Sequence, residues 1–230
     1  LQEIHVWRYE PADSEPSILL SDDERQRAAR FVFEKDRRFF AACRSALRVL
    51  LGRYLERRAE EISFVYSERG KPRVAGEGDL RFNVSHSGGL AVFAFTLGCE
   101  LGADVEMVRP VPEMDHIAQR FFCQEEYNEL VNLPEDEKPD AFFRCWTRKE
   151  AYIKATGDGL SAPLDQFRVT FGAQHDARFV HINHDRTKAA QWTLQTLQLD
   201  SPFVGALAYE APRKEIRQFD LTRGADALWP

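Results

Sequence analysis

Strand, short helix, long helix, then antiparallel strands: this order of elements occurs twice along the 230 residues, and few folds accommodate it. In the first round, residues 3–8 alternate like a strand, and Ser21 ahead of Asp22, Asp23 and Glu24 reads as a helix N-cap with acids in the first turn. Phe40, Cys43, Leu47, Leu50, Leu51 and Tyr54 then follow a helical period and predict a helix over 36–58. Extended runs follow at 62–67, 80–84 and 90–96, with turns at 68–72 and 85–89. The second round has a strand at 101–106, short helices at 113–122 and 125–132, and a long helix at 140–156 stopped by Gly157. Extended runs near 166–171, 178–182, 191–197 and 203–209 complete it. No residue-level repeat is evident, so the duplication rests on element order alone. The expectation is an α+β fold of two similar halves, 1–103 and 104–230. Each is a small antiparallel sheet packed with a long helix, related by a pseudo-two-fold, with the cleft between them as the default site.

Charge divides along the same line. The net charge is −6, but the first 103 residues sum to zero and the whole deficit lies in 104–230. Within the first half, residues 25–58 carry a local +8, with Glu34, Asp36 and Glu56 the only acids. A basic stretch followed by a carboxylate-rich half suits a polyanion on one side and a cation on the other; solvated helix faces are the plainer alternative. The acidic mean argues against a general nucleic-acid binder. With 43% hydrophobic and 30% charged residues, disordered, collagen-like and disulfide-scaffold classes are excluded. The longest uncharged run, 82–99, turns and alternates rather than staying apolar, so no spanning helix is expected. Four cysteines without a C-x-x-C pair, and no basic region leading into an apolar run, predict reduced thiols in a cytoplasmic protein.

Asp104 and Glu106, two apart on a strand, leave the same face. Side by side they repel unless a cation or strong donors lie between them, although an acidic face in water is the competing reading. On the long helix, Trp146, Glu150 and Lys154 are spaced by four, with Lys149 and Ile153 bordering that stripe. Trp146 argues against full exposure, so a cleft wall fits better than open surface. Three carboxylates without nearby His or Cys suit a hard cation such as Mg²⁺, completed by water and substrate phosphate. His175, His181 and His184 are a weaker transition-metal alternative on an ordinary strand and turn. In the stretch Phe82-Asn83-Val84-Ser85-His86-Ser87-Gly88-Gly89, backbone amides, Ser85 and His86 are candidates to face a phosphate oxygen; a plain hairpin is the alternative. Neither G-x-x-x-x-G-K-[ST] nor G-x-G-x-x-G occurs.

Taken in order, Arg69-Gly70-Lys71-Pro72, Phe82 to Ser87, Gly102-Ala103-Asp104-Val105-Glu106, Arg120-Phe121-Phe122 and Trp146 through Lys154 resemble the 4′-phosphopantetheinyl transferases of the larger, Sfp-like class. The stretch 31–40 and Gly157-Asp158-Gly159-Leu160 are similar too. The resemblance implies a monomer of two α+β halves that transfers phosphopantetheine from coenzyme A to a serine of an acyl or peptidyl carrier protein, with Mg²⁺ on the pyrophosphate. It matches Asp104, Glu106 and Glu150 to the metal ligands. Lys154, His86 and Ser85 match phosphate contacts, and Arg69, Gly70, Lys71 and Pro72 match the adenine and 3′-phosphate wall. Arg27 stands where the family has a basic residue for the 3′-phosphate, with Arg44 and Arg48 as further candidates whose stripe equally suits solvent. Glu150 is the candidate base for the serine proton, with Glu106 or a metal-bound hydroxide as alternatives.

Phe121, Phe122, Tyr127 and Leu130 are candidates for carrier docking or, equally, for core; Arg120, Arg144 or the basic stretch 25–58 are candidates to meet an acidic carrier. Two rival functions use the same residues. One is a Mg²⁺-dependent phosphohydrolase of coenzyme A-like pyrophosphates. The other is a non-catalytic module that binds coenzyme A or carrier protein.

Overall fold

Ser21 starts the first helix, α1 (Asp22–Ala28), as its acidic run predicts: the Ser21 amide donates to the Glu24 carboxylate at 2.8 Å. That carboxylate does more than cap. It is buried and also accepts from Arg48 Nε at 2.8 Å and Arg44 Nε at 2.5 Å, which bolts α1 to the long helix α2 (Glu34–Tyr54). Burial pushes the Glu24 carboxyl up, but Arg48, the Ser21 amide and Arg44 together outweigh it and hold the group below the usual carboxylate range. The arginine stripe on α2 therefore faces a partner, not open solvent. α2 ends four residues earlier than its period predicts, because Glu56 turns left-handed (φ 52°) and the Arg57 amide closes back onto the Gly52 carbonyl.

In this computed structural model, which describes residues 2–11, 19–76, 78–159, 162–173 and 175–221, the strands are short and mostly antiparallel. Leu160 of the Gly157-Asp158-Gly159-Leu160 stretch lies outside the described residues. The remaining elements in chain order are β1 (Ile4–Tyr9), β2 (Phe64–Tyr66), β3 (Pro72–Val74), β4 (Leu80–Ser87), β5 (Leu90–Leu97), β6 (Leu101–Met107), α3 (Met114–Phe121), α4 (Gln124–Val131), α5 (Lys138–Thr156), β7 (Phe167–Val169), β8 (Phe179–Ile182), α6 (Arg186–Ala189), β9 (Thr193–Thr196), β10 (Phe203–Tyr209) and β11 (Ile216–Asp220). One sheet runs β11-β1-β5-β4 and a second β6-β10-β9; β2-β3 and β7-β8 form separate pairs.

Period-two alternation decides which way each strand faces. In the first sheet, Trp7, Phe93 and Phe95 pack with Cys43, Leu47, Leu50 and Leu51 of α2. The alternate residues Ile4, Val6, Val92 and Ala94 meet Leu101, Ala103, Val105 and Leu207 of the second sheet. On that sheet's far side, Ala206 and Ala208 pack with Ala151 and Ala155 of α5. The order of layers is helix, sheet, sheet, helix. The α+β class is as expected.

Three strand assignments differ from the sequence expectation. The turn placed at 85–89 is shorter: β4 continues to Ser87, paired with Leu90, and only Gly88 and Gly89 (φ 57° and 91°) make the hairpin. β3 stands where Pro72 was read as a turn. β11 comes from the chain end, left unassigned, and pairs parallel with β1 from Ile4↔Ile216 to Arg8↔Asp220. Among the described residues, no helix is long and apolar enough to cross a membrane.

Gly102 controls how close α5 comes to β6. A Cβ there would fall far inside contact distance of the Ala151 carbonyl oxygen and the Ala155 amide, and 2.9 Å from the Lys154 carbonyl carbon. These are backbone atoms of α5 and cannot swing aside. Gly102→Ala is expected to cost about 1–3 kcal/mol, read as a lowered urea midpoint. It should also lower activity beyond that loss, because α5 carries Glu150 and Lys154; a variant with parental midpoint and turnover refutes this account.

Candidate functional site

The same alternation that sends Leu101, Ala103 and Val105 into the core sends Gly102, Asp104 and Glu106 toward α5. The close approach at Gly102 then brings Lys154 onto Asp104: Nζ lies 2.5 Å from Oδ1 and 3.0 Å from Ser85 Oγ. Ser85 donates to the same Asp104 oxygen at 2.8 Å. Glu106 is held by Ser87 at 2.6 Å and Arg109 at 3.2 Å, both on Oε2.

Three adjoining cavities converge here and share walls. One of about 320 Å³ is lined by Val84, Ser85, His86, Asp104, Glu106, Trp146, Glu150 and Lys154. A second, about 300 Å³, shares Val84, Glu150 and Lys154 and adds Arg69, Gly70, Lys71 and Pro72. The third and largest, about 690 Å³, shares Gly70, Pro72, Val84 and His86 and extends to Arg27, Arg44, Phe31, Phe39, Phe40 and Tyr66. Asp104, Glu106, Glu150, Lys154, Ser85, His86, Arg27, Arg44 and residues 69–72 all line this trough, whereas Arg48 and the three histidines of 175–184 do not. The trough is acidic at one end and basic and aromatic at the other, as the charge map suggests.

The acidic end is electrostatically incomplete. Asp104 Oδ2 and Glu150 Oε1 are buried with no hydrogen-bond partner among the described residues. Burial pushes the Asp104 carboxyl up despite the opposing charge of Lys154. Burial, then the charge of Asp104, pushes Glu150 up as well. Uncommitted, mutually repelling carboxylate oxygens fit a hard cation. Among the described residues no three His, Cys, Asp or Glu side chains are drawn together as a ready cage. A cation here would thus take the rest of its shell from water and a phosphate, the usual habit of Mg²⁺.

The basic end is more committed than its sequence implies. Arg44 lines the large cavity, but it also pairs with Glu24, donates to Tyr66 Oη at 2.8 Å and lies 3.7 Å over the Phe64 ring. Arg48 is buried on Glu24 and on the Ala59 and Ile62 carbonyls. Arg27 sits 5.4 Å over Phe40. Lys71 donates to Glu100 at 2.8 Å and caps the Ala155 carbonyl at the end of α5 at 2.6 Å; burial lowers its ammonium from the usual lysine range. Arg69 bridges to Asp158 at 3.1 Å. Together Arg69 and Lys71 tie the 68–72 loop to the end of α5.

One other expectation is corrected, and one open alternative is decided. Lys149 does not border the site stripe: it turns into the core, 2.7 Å from Glu126, because its i+1 neighbour Glu150 occupies the cavity side. Phe122 and Leu130 are core, and Phe121 and Tyr127 pack partly buried against it. Phe121 lies edge-on to Trp146 at 6.0 Å, so Trp146 has one flank in the core and another on the cavity. The His181 and His184 rings stack near-parallel, with centroids 5.2 Å apart. Ser87 is a further neighbour of the acidic end, and its signal in the sequence is the S-x-S spacing on β4 facing D-x-E on β6.

Residues 100–208 match the model of the 4′-phosphopantetheinyl transferase superfamily, and residues 7–97 match that of the 4′-phosphopantetheinyl transferase N-terminal region. The chain is 40% identical over 215 residues to 4′-phosphopantetheinyl transferase HetI of Nostoc sp., covering 90% of this chain and 87% of that one. It is 38% identical over 151 residues to 4′-phosphopantetheinyl transferase Sfp of Bacillus subtilis, 66% of each chain. A mouse protein, L-aminoadipate-semialdehyde dehydrogenase-phosphopantetheinyl transferase, is 25% identical over 211 residues, 84% of this chain and 68% of that one. Two family models that together span most of the chain, and 40% identity over nearly its full length, lead to one family: the chain belongs to the 4′-phosphopantetheinyl transferases and is an enzyme of that class.

Proposed function

We propose that this protein moves the 4′-phosphopantetheine arm of coenzyme A onto a serine hydroxyl of an apo acyl, peptidyl or polyketide carrier protein, releasing adenosine 3′,5′-bisphosphate. The observation that carries the reading is the pair of buried, unpartnered oxygens, Asp104 Oδ2 and Glu150 Oε1, beside the Lys154 ammonium. Asp104, Glu106 and Glu150 would hold Mg²⁺. Bound there, the ion supplies positive charge to the pyrophosphate of coenzyme A. Arg27, Arg44, Arg69, Gly70, Lys71 and Pro72 are the wall for the adenine and 3′-phosphate, and Ser85 and His86 line the passage to the phosphates. In this arrangement residues 1–103 supply most of the coenzyme A side and 104–230 the metal side, with β6 spanning the boundary and β11 returning to the first sheet. The two are similar halves related by a pseudo-two-fold, with the trough as the cleft between them. The protein acts as a cytoplasmic monomer and binds no nucleic acid.

The chemistry is a displacement at the β-phosphorus. The carrier serine Oγ forms a bond to phosphorus, and the bond from that phosphorus to the bridging oxygen breaks toward the adenosine bisphosphate. Lys154 is placed to neutralise the phosphate charge that develops. Glu150 accepts the serine proton at its carboxylate, which lines the same cavity as Lys154. Incubation with coenzyme A, Mg²⁺ and an apo carrier tests the reading. Chelator-sensitive addition of one phosphopantetheine mass to the carrier is the expected result. Adenosine bisphosphate released with the carrier unmodified would indicate a hydrolase, and neither product a binding module.

A further inference from the structure

β4 and β6 lie side by side at the edges of different sheets, and side chains rather than backbone join them. Asn83 Oδ1 accepts the Ala103 amide at 3.0 Å, Ser85 Oγ the Val105 amide at 3.2 Å and Ser87 Oγ the Met107 amide at 3.1 Å. The rungs advance two residues at a time on both strands. At two of them the acceptor is a hydroxyl with one proton left to donate. Ser85 gives its proton to Asp104 and Ser87 gives its proton to Glu106 Oε2, at 2.8 and 2.6 Å. Each serine thus grips one β6 residue by its carboxylate and the next by its amide.

We infer that Ser87 is a positioning residue for the transfer reaction: it clamps the Glu106 carboxylate to the strand and thereby presents it to the cation site. The inference rests on the reading of Glu106 as a metal ligand. Ser87 is not among the residues lining the cavity; it acts through Glu106. Among the described residues the other partner of Glu106 Oε2 is Arg109, a half-exposed guanidinium at 3.2 Å, which alone leaves the carboxylate free to follow it toward solvent. Loss of a group that orients a metal ligand weakens metal binding or activity by roughly 10–100-fold.

Titration of Mg²⁺ into the protein–coenzyme A complex, without carrier, separates the possibilities. Ser87→Ala and the near-isosteric Ser87→Cys should each weaken Mg²⁺ binding by about tenfold or more. Both should leave coenzyme A affinity in the absence of metal unchanged. Turnover should fall at limiting Mg²⁺ and return toward the parental kcat at saturating Mg²⁺, with KM for the carrier unmoved. Should Ser87→Ala fail to fold, Ser87→Cys alone carries the test. Parental Mg²⁺ affinity in the serine variants, with Glu106→Gln weakened, overturns the positioning role and leaves the site reading intact. Parental affinity in Glu106→Gln overturns both.

Discussion

Glu150→Ala should lose phosphopantetheine transfer by about 10²–10⁴-fold or more and yet melt no lower than the parent protein. The side chain is half-buried and its Oε1 has no hydrogen-bond partner among the described residues, so truncation breaks no bond of that atom. Burial and the nearby Asp104 charge both disfavour the ionised form, which raises the group from the usual carboxylate range. A buried, unsatisfied polar atom costs about 1–3 kcal/mol, and removing it relieves that cost and the repulsion on Asp104. A residue that destabilises its own fold while lining a cavity is retained for chemistry. Mass shift of an apo carrier measures the activity and a thermal melt the stability. Parental turnover would refute the assignment, and a drop in melting temperature as large as that of a core truncation would refute the energetic argument.

The second large effect is on stability alone. Glu126→Ala should cost about 3–5 kcal/mol, read as a shift in the urea midpoint. Glu126 and Lys149 are 0% and 1% exposed at the side chain and 2.7 Å apart. Lys149 also donates to the Leu164 and Phe167 carbonyls at 2.8 and 2.6 Å and lies 4.3 Å over the Phe167 ring. Glu126 in turn accepts the Cys123 and Val169 amides. Removing the carboxylate strands an ammonium and two amides in a dry core. The double replacement Glu126→Leu with Lys149→Met removes both charges and should recover part of the loss, but not all, because the backbone groups remain unpaired. A single-variant cost below about 1 kcal/mol, the range of exposed ion pairs, would show that the pair is not structurally important.

Glu150 and Lys149, the partner of Glu126, are neighbours on one helix, and the sequence treats them unequally. Glu150 falls on the four-residue stripe with Trp146 and Lys154, so its side of α5 was legible. Helical spacing alone sets Lys149 at the border of that stripe. Its burial depends on a carboxylate 23 positions away on α4, and nothing in the local pattern announces it. Arg44 and Arg48 repeat the lesson: their helical stripe was visible, but the buried Glu24 they share comes from a different helix. β11 was missed for a related reason. Its five residues have weak alternation, and their strand character comes from pairing with β1, about 210 residues earlier. The convergence of Asp104, Glu106, Glu150 and Lys154 on one cavity was more legible, because the periods of strand and helix set which face each side chain occupies.

What the sequence determined by itself was local: the Ser21 cap, the Gly157 stop with φ at 77°, the strand at 203–209, and the shared face of Asp104 and Glu106. Each depends on forces acting within a few residues: dihedral preference, capping and side-chain period. Tertiary structure alone decided how near α5 lies to β6, which the missing Cβ of Gly102 permits, and that Ser85 and Ser87 grip the two acids. It also decided that two buried carboxylate oxygens stay unpaired at the acidic end of the trough. Those outcomes follow from packing and desolvation between segments distant in the chain, whose energies no local pattern records.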